Sequence, residues 1–305
     1  MMHKSKLKRW MAQSPGDKIF DIFNFIILFL ATMVCLYPLY YVVIVSFSKD
    51  AFGTYLIPNG FTLAGYKAVL QSSEIWIAYL NTIFYAVGGV VFGLTLTLPC
   101  AYSLSRRDLI GRKAVTLYLL VTMFVSGGTI PTYLVVQKLH LVNTRAAIII
   151  MTGCGVYNIV VARTFFSSNI PDELLEAARM DGCSYGRFFM KIALPLSKPI
   201  CAVLALWIGV GRWNSYFTEL MYLRDANKQP LAMYLRRVLW KVELLVEVMD
   251  KAITADAVSY YQEQSRLASI MQYVIIVCVT APMMLLYPFI QKYFAKGVMI
   301  GSVKG

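Results

Sequence analysis

The chain carries several apolar runs of about 20 residues, the length at which a helix rising roughly 1.5 Å per residue crosses a hydrocarbon layer of about 30 Å. No water reaches backbone amides and carbonyls in such a layer, so segments of this kind must be helical or belong to a closed barrel. Six stretches qualify: residues 20–47, 75–104, 114–136, 146–166, 200–223 and 267–290. They predict an all-α fold, a polytopic membrane helix bundle of about six transmembrane helices. A content of 58% hydrophobic and 15% charged residues, with a mean hydropathy of +0.61, excludes both a disordered chain and an ordinary soluble globule.

The net charge of +13 is distributed as topology rather than as a nucleic-acid surface, because no soluble basic domain or basic run with interleaved aromatics exists. With the N-terminus inside, the inner segments hold Lys4, Lys6, Lys8, Arg9 and Lys18, then Arg106, Arg107, Arg112 and Lys113, then Arg179, Arg187, Lys191 and Lys198, and finally Lys292, Lys296 and Lys304. The two short outer loops hold only Lys49, Lys67, Lys138 and Arg145. This bias places both termini in the cytoplasm and divides the chain into a basic N-terminus (1–19), a transmembrane domain (20–290) and a C-terminal tail (291–305). The first apolar run is too long for a signal-peptide core and lacks a small-residue cleavage site, so it stays as a span. A long outer loop, 224–266, also carries Arg236, Arg237, Lys241 and Lys251 beside Glu243, Glu247, Asp250 and Asp256. Within it Leu231, Leu235, Val238, Val242, Leu245, Met249 and Ile253 recur at helical spacing, as in an amphipathic helix that packs on the bundle or membrane surface or docks an external partner.

Residues that strand backbone groups interrupt several spans: Pro38, the Gly127, Gly128 and Pro131 group, Gly153 with Gly155, and Pro282 with Pro288. Gly89 and Gly93 form a small-xxx-small pair that lets a neighbouring helix approach closely. The cysteines Cys35, Cys100, Cys154, Cys183, Cys201 and Cys278 show no metal-ligand spacing and read as small, reduced core residues. His3 and His140 are the only histidines and lie outside the spans, so no metal or nucleophile constellation supports a membrane enzyme.

One segment outside the spans has local order of its own. In residues 169–182, Asn169 or Ile170 precedes Pro171 at a first helical position, Asp172 and Glu173 face the positive helix end, and Gly182 supplies the stop. A second short helix starts at Ser184 as its cap and runs through Tyr185, Phe188, Phe189 and Ile192 until Leu194 and Pro195 halt it. The product is a helix-turn-helix at the cytoplasmic membrane face, which by itself is compatible with a plain interfacial connector.

The spacing within it says more. Glu176-Ala177-Ala178, three residues, Gly182, nine residues, Ile192, one residue, then Leu194-Pro195 reproduces the EAA signature of importer-type ABC permeases. Val45-Ser46-Phe47-Ser48, Phe61-Thr62-Leu63-Ala64-Gly65-Tyr66, Asn81-Thr82 and Ala101-Tyr102-Ser103-Leu104-Ser105-Arg106 add to it. So do Ser126-Gly127-Gly128-Thr129-Ile130-Pro131, Arg163-Thr164-Phe165-Phe166, Trp213-Asn214-Ser215-Tyr216-Phe217 and Tyr293-Phe294-Ala295-Lys296-Gly297. Over nearly its whole length the chain resembles carbohydrate ABC permeases of the MalG-like group, and within it the LplC/YtcP-like oligosaccharide permeases.

The resemblance implies the type I importer permease (MetI-like) architecture, in a prokaryotic cell membrane, and a coupling hairpin at 169–195 seated on a cytoplasmic ATPase. Its coupling residues would be Glu176, Ala177, Ala178, Asp181, Gly182, Ile192, Leu194 and Pro195. It implies a homologous second permease, two ATPase subunits, an extracytoplasmic solute-binding protein and an oligosaccharide substrate. The chain has no G-x-x-x-x-G-K-[ST] loop, so ATP and magnesium belong to the partners and the chain itself carries no cofactor. The tail around Lys296, Gly297 and Gly301 either touches the ATPases or is a frayed terminus.

A sugar pathway needs polar and aromatic groups at membrane depth. Asn158 with Tyr157, and Arg212, Trp213, Asn214, Ser215 and Tyr216, are the candidates, and interhelical hydrogen bonding is the other use for such residues. Related permeases more often have an aromatic or small residue before Trp-Asn, so Arg212 departs from the pattern. It either contacts an acidic or heavily hydroxylated glycan or pairs with an acid such as Glu219. The competing function is an ATP-independent secondary transporter or channel. Ion coupling usually needs an acid deep in a span, and here Asp21 and Glu219 both lie near span ends.

Overall fold

The computed structural model describes residues 14–51, 56–250 and 255–297. His3, the cluster Lys4, Lys6, Lys8 and Arg9, Ile253, Gly301 and Lys304 lie outside the described residues. In chain order the helices are α1 (Pro15–Ser46), α2 (Ala64–Gln71), α3 (Ser73–Ser105), α4 (Arg112–Phe124), α5 (Thr129–Lys138), α6 (Arg145–Ile150) and α7 (Val156–Asn169). There follow α8 (Asp172–Met180), α9 (Tyr185–Leu196), α10 (Lys198–Trp213), α11 (Phe217–Tyr222), α12 (Leu231–Asp250) and α13 (Ala255–Gly297). Extended pairing among the described residues is limited to one bridge between Ser48 and Phe61. The fold is all-α.

Among the described residues three helices are long and apolar enough to cross a membrane by themselves: α1, α3 and the 259–285 part of α13. The pairs α4–α5 and α9–α10 reach the same length only across bends of 112° and 79°. The expected fourth span, 146–166, is divided into α6 and α7 around Gly153 and Gly155, and the fifth, 200–223, into α10 and α11 at residues 214–216. Gly128 takes φ +85° between α4 and α5, a conformation that other residues rarely adopt. At Pro38, Pro282 and Pro288, where a break or a kink is expected, α1 and α13 are not divided. A proline removes one rung from a ladder of many, and in a long apolar helix the remaining bonds hold.

The described residues pack as two compact units, residues up to 69 with 241–277, and residues 70–240 with 278 onward. In the first, Ser14 caps α1 by accepting the Asp17 amide at 3.2 Å, and Pro15 follows where its missing N–H costs nothing. Phe23, Ile26, Phe29, Val34 and Leu39 are all exposed on α1, whose only buried positions are Val45 and Ser46. An apolar surface of this extent belongs against lipid or another subunit. The first unit is closed where Gly65 of α2 admits Ile270 and Val274, a Cβ there meeting both at 3.0 Å, and where Tyr41 stands edge-on to Tyr273. Arg266 donates to the Lys49 carbonyl at 2.8 Å.

In the second unit α3 is the spine, packed by α7 and α10. The Gly89 and Gly93 pair does what its spacing predicts: a Cβ would meet Arg212 Cγ at 3.0 Å and Ile208 Cδ1 at 2.9 Å on α10. All six cysteines are free. The expected amphipathic helix in the outer loop forms as α12, anchored by buried Leu231, Met233 and Tyr234 at its start.

At the break between α6 and α7, glycine is required sterically at residue 153. A Cβ on Gly153 would lie 2.4 Å from the Phe92 ring and 3.1 Å from the Ile150 carbonyl oxygen, whereas one on Gly211 would meet nothing within 4 Å. Gly153→Ala is expected to destabilise the purified protein by about 1–3 kcal/mol. Gly211→Ala, in the interior of α10, should be neutral or gain about 0.4–1 kcal/mol. Thermal unfolding in detergent checks the pair, and equal Tm values for the two would refute the steric account.

Candidate functional site

The largest buried core of the second unit lies beneath the α8–α9 hairpin. α8 has an apolar stripe, with Leu175 and Ala178 buried, and α9 sends down Phe188 and Ala193. They meet Tyr102 and Leu104 of α3, Ile159, Ala162 and Phe166 of α7, and Ile200, Val203 and Leu204 of α10. Tyr102 stands edge-on to Phe166 at 5.6 Å and lies 5.0 Å from Phe189. The hairpin is therefore an outcrop of a packed core, not a loop resting on it.

The turn between its helices is built by Gly182 at φ +75°. The Cys183 amide donates to the Ala178 carbonyl and the Gly182 amide to the Arg179 carbonyl, both at 2.9 Å, which are the paired bonds of a Schellman stop. No atom lies within 4 Å of where a Gly182 Cβ would be, so the position needs glycine for its backbone alone. Two details of the hairpin differ from expectation. Pro171 occupies the extended cap position (φ −65°, ψ 152°) and α8 starts at Asp172, since the proline's ψ already turns the chain away from the preceding segment. Leu194 and Pro195 do not halt α9. A π-helical turn at Phe189–Ala193 shifts the bonding register before the proline, and the helix continues to Leu196, where Ser197 Oγ bonds the Ala193 carbonyl at 2.7 Å.

The residues of the EAA signature divide by face. Glu176, Ala177, Asp181, Gly182 and Pro195 are exposed, together with Met180 and Tyr185, while Ala178 is buried and Ile192 and Leu194 are packed against the core. The outward face is thus short and of mixed charge, with Glu176 and Asp181 beside Arg179 and the exposed Met180, on a base packed into the core. Sequence reasoning missed what ties this base to α3. Arg106, only 4% exposed, donates to Asp172 Oδ1 at 3.2 Å and to the Ile170 carbonyl at 3.0 Å, with its guanidinium 5.2 Å from the centre of the Tyr102 ring. Tyr185 donates to Asp108 Oδ2 at 2.9 Å and accepts from Arg179 at 3.0 Å. The signal available was Ser105-Arg106 at the end of a quoted motif, but in sequence Arg106 is one loop cation among several.

The pathway candidates are not gathered into one site. Arg212 Nη1 lies 3.4 Å from Glu219 Oε1, with their side chains 13% and 1% exposed, and Ser215 donates to Glu219 at 2.8 Å. Trp213 is buried, and its indole N–H donates to the Val279 carbonyl at 3.2 Å. Asn214 is exposed and, with Trp207, Trp213 and Tyr287, lines an open groove of about 740 Å³. Tyr157 stacks on Trp207 at 5.6 Å, one residue from the half-buried Asn158. Tyr216 is exposed beneath the Arg236 guanidinium.

A second polar cluster, also unforeseen, lies around Asn81 on α3. Its Nδ2 donates to the Asn227 and Gln229 carbonyls at 2.8 and 3.1 Å, and its Oδ1 accepts from Arg145 at 3.0 Å. Tyr85 donates to the Lys228 carbonyl and Thr82 accepts the Leu231 amide, both at 2.8 Å. Asn143, at φ 63°, accepts the Arg224 and Asp225 amides at 3.1 Å. The segment that leads into α12 is thereby pinned to α3, and Lys228 Nζ lies 3.7 Å from Asp225 Oδ2.

Residues 10–300 match the family model described as "Binding-protein-dependent transport system inner membrane component". The polygalacturonan/rhamnogalacturonan transport system permease protein YtcP of Bacillus subtilis (strain 168) is 35% identical over 296 residues, covering 95% of this chain and 99% of that protein. Protein LplC of the same organism is 36% identical over 302 residues, covering 97% and 98%. A solved structure of a bacterial ABC transporter involved in the import of the acidic polysaccharide alginate contains a chain that superposes with a TM-score of 0.81 at 33% identity, covering 92% of this chain and 99% of that one. The chain belongs to the family of inner membrane components of binding-protein-dependent transport systems.

Proposed function

We propose that the chain is the transmembrane permease subunit of an ATP-driven, binding-protein-dependent importer of an oligosaccharide, and forms half of a pathway completed by a homologous second permease. The observation that carries this reading is the hairpin: an exposed face of Glu176, Ala177, Asp181 and Gly182 on a base anchored in the core. Such a rigid projection converts closure of two cytoplasmic ATPase subunits, which hold ATP and magnesium, into rotation of the helices above it. Both termini then lie in the cytoplasm, and a solute-binding protein delivers sugar at the opposite face. Closure and reopening expose the sugar to each side in turn. The similarity to a chain of an alginate importer suits an anionic sugar.

The experiment is ATP-dependent uptake of an oligogalacturonate and of a neutral oligosaccharide into proteoliposomes holding the copurified assembly. Uptake is expected only with ATP, the ATPase subunits and the binding protein together. Uptake at full rate without the ATPase subunits, driven by an ion gradient, would support a secondary transporter and remove the coupling role of the hairpin.

A further inference from the structure

We propose that the short loop at the end of α3, residues 105–108, is the strap through which movement of the hairpin reaches α3, with Arg106 and Asp108 as its positioning residues. The inference rests on the reading of the hairpin as the coupling element. Covalently, α8 continues from α7 and α9 continues into α10, but neither leg is joined to α3. To the packing of Tyr102 against Phe188 and Phe189, the loop adds a polar tie at each of the two helix starts.

At the first, the buried Arg106 guanidinium bridges the Asp172 carboxylate and the Ile170 carbonyl, and Arg107 approaches Asp172 at 3.7 Å. At the second, Asp108 accepts from the Tyr185 hydroxyl, which Arg179 also holds. Two anchor points on one rigid hairpin resist both sliding and rotation, where a single hydrogen bond resists neither. The Arg106 guanidinium is buried while its Asp172 partner is 44% exposed, and the charge-assisted bond between them is stronger than a neutral one.

The strap has somewhere to send the motion. α3 runs unbroken from Ser73 to Ser105, and at Gly89 and Gly93 it lies in direct contact with Arg212 and Ile208 of α10. A displacement applied at Arg106 is therefore delivered to the helix that bears the pathway candidates, by packed contacts between rigid elements.

The test is hydrogen exchange, read by mass spectrometry, on the detergent-purified full assembly with and without ATP and vanadate. Peptides covering residues 98–108 report the α3 end, and peptides covering 172–185 report the hairpin. The variants are Arg106→Lys, which keeps the charge but cannot fork between two acceptors, and Tyr185→Phe combined with Asp108→Asn, which alters exposed groups only and leaves the core packed. In the unaltered chain both peptides should change protection with nucleotide. In the variants the hairpin response should persist while the α3 response falls about tenfold, the effect of losing one hydrogen bond to a charged group. An α3 response equal to that of the unaltered chain sinks the strap and leaves the hairpin reading intact. Loss of both responses in the double variant also sinks it, because the loop would then seat the hairpin and not relay from it. No nucleotide response at the hairpin of the unaltered chain overturns the reading on which the strap depends.

Discussion

In proteoliposomes that hold the full assembly, Gly182→Pro should abolish ATP-driven uptake while the complex still assembles and hydrolyses ATP. The residue sits at φ +75°, and a proline ring fixes φ near −65°, so the reversal between α8 and α9 cannot form as it stands. The substitution also removes the amide that bonds the Arg179 carbonyl at 2.9 Å, half of the Schellman pair. The combined cost is about 3 kcal/mol or more, a loss of roughly a hundredfold or greater in the population of the seated hairpin. Because the space around a Gly182 Cβ is empty, the series can be graded. Gly182→Ala carries only the left-handed backbone penalty of about 1–2 kcal/mol, and Gly182→Asn less, since asparagine tolerates that conformation best. Uptake should fall in the order Asn, Ala, Pro. Uptake by the proline variant within about twofold of the unaltered chain would refute the idea that the turn geometry is what the ATPase drives.

The same residue shows why the hairpin was legible in the sequence. Its start and turn are set by short-range requirements, acidic residues at a helix N-terminus and a glycine where only a left-handed residue closes the turn, and such requirements survive any tertiary context. The α3–α10 contact was legible for a similar reason, because Gly89 and Gly93 announce a close approach whatever the partner is. The prolines leave α1 and α13 undivided because each removes one hydrogen bond from a long ladder. Gly128, at φ +85°, supplies backbone freedom where α4 and α5 divide, and Gly153 supplies space beside Phe92 where α6 and α7 divide. Pro195 misled for a subtler reason: the π-helical turn before it alters the register on which the expected stop depended. Arg106 could not be read at all, since Ile170 and Asp172 are 64 and 66 residues away and only the fold brings them to one guanidinium. Counted as a loop cation it marks topology; buried beneath the hairpin it becomes a tie.

Arg212 and Glu219 depend on a break that the apolar pattern hid. On a straight helix two residues seven apart are separated by about 10 Å along the axis. Here residues 214–216 interrupt the run, and the two charges come within 3.4 Å. Glu219→Leu should be among the most destabilising single changes in the chain, about 3–5 kcal/mol, because it leaves a largely buried guanidinium without its counter-charge. Arg212→Met should have a cost of the same kind, leaving the fully buried Glu219 carboxylate with the Ser215 hydroxyl as its donor at 2.8 Å. The double variant Arg212→Met, Glu219→Leu should regain most of the loss, since an apolar pair incurs no desolvation of charge, and a thermal double-mutant cycle on the detergent-purified protein measures that coupling. The functional counterpart separates the two roles open to Arg212. If its charge is spent on Glu219, Arg212→Ala should depress uptake of neutral and uronate-containing oligosaccharides by the same factor. A selective loss of uronate uptake, with little change in melting temperature, would instead put the guanidinium on the sugar and make Glu219 the group that holds it ready.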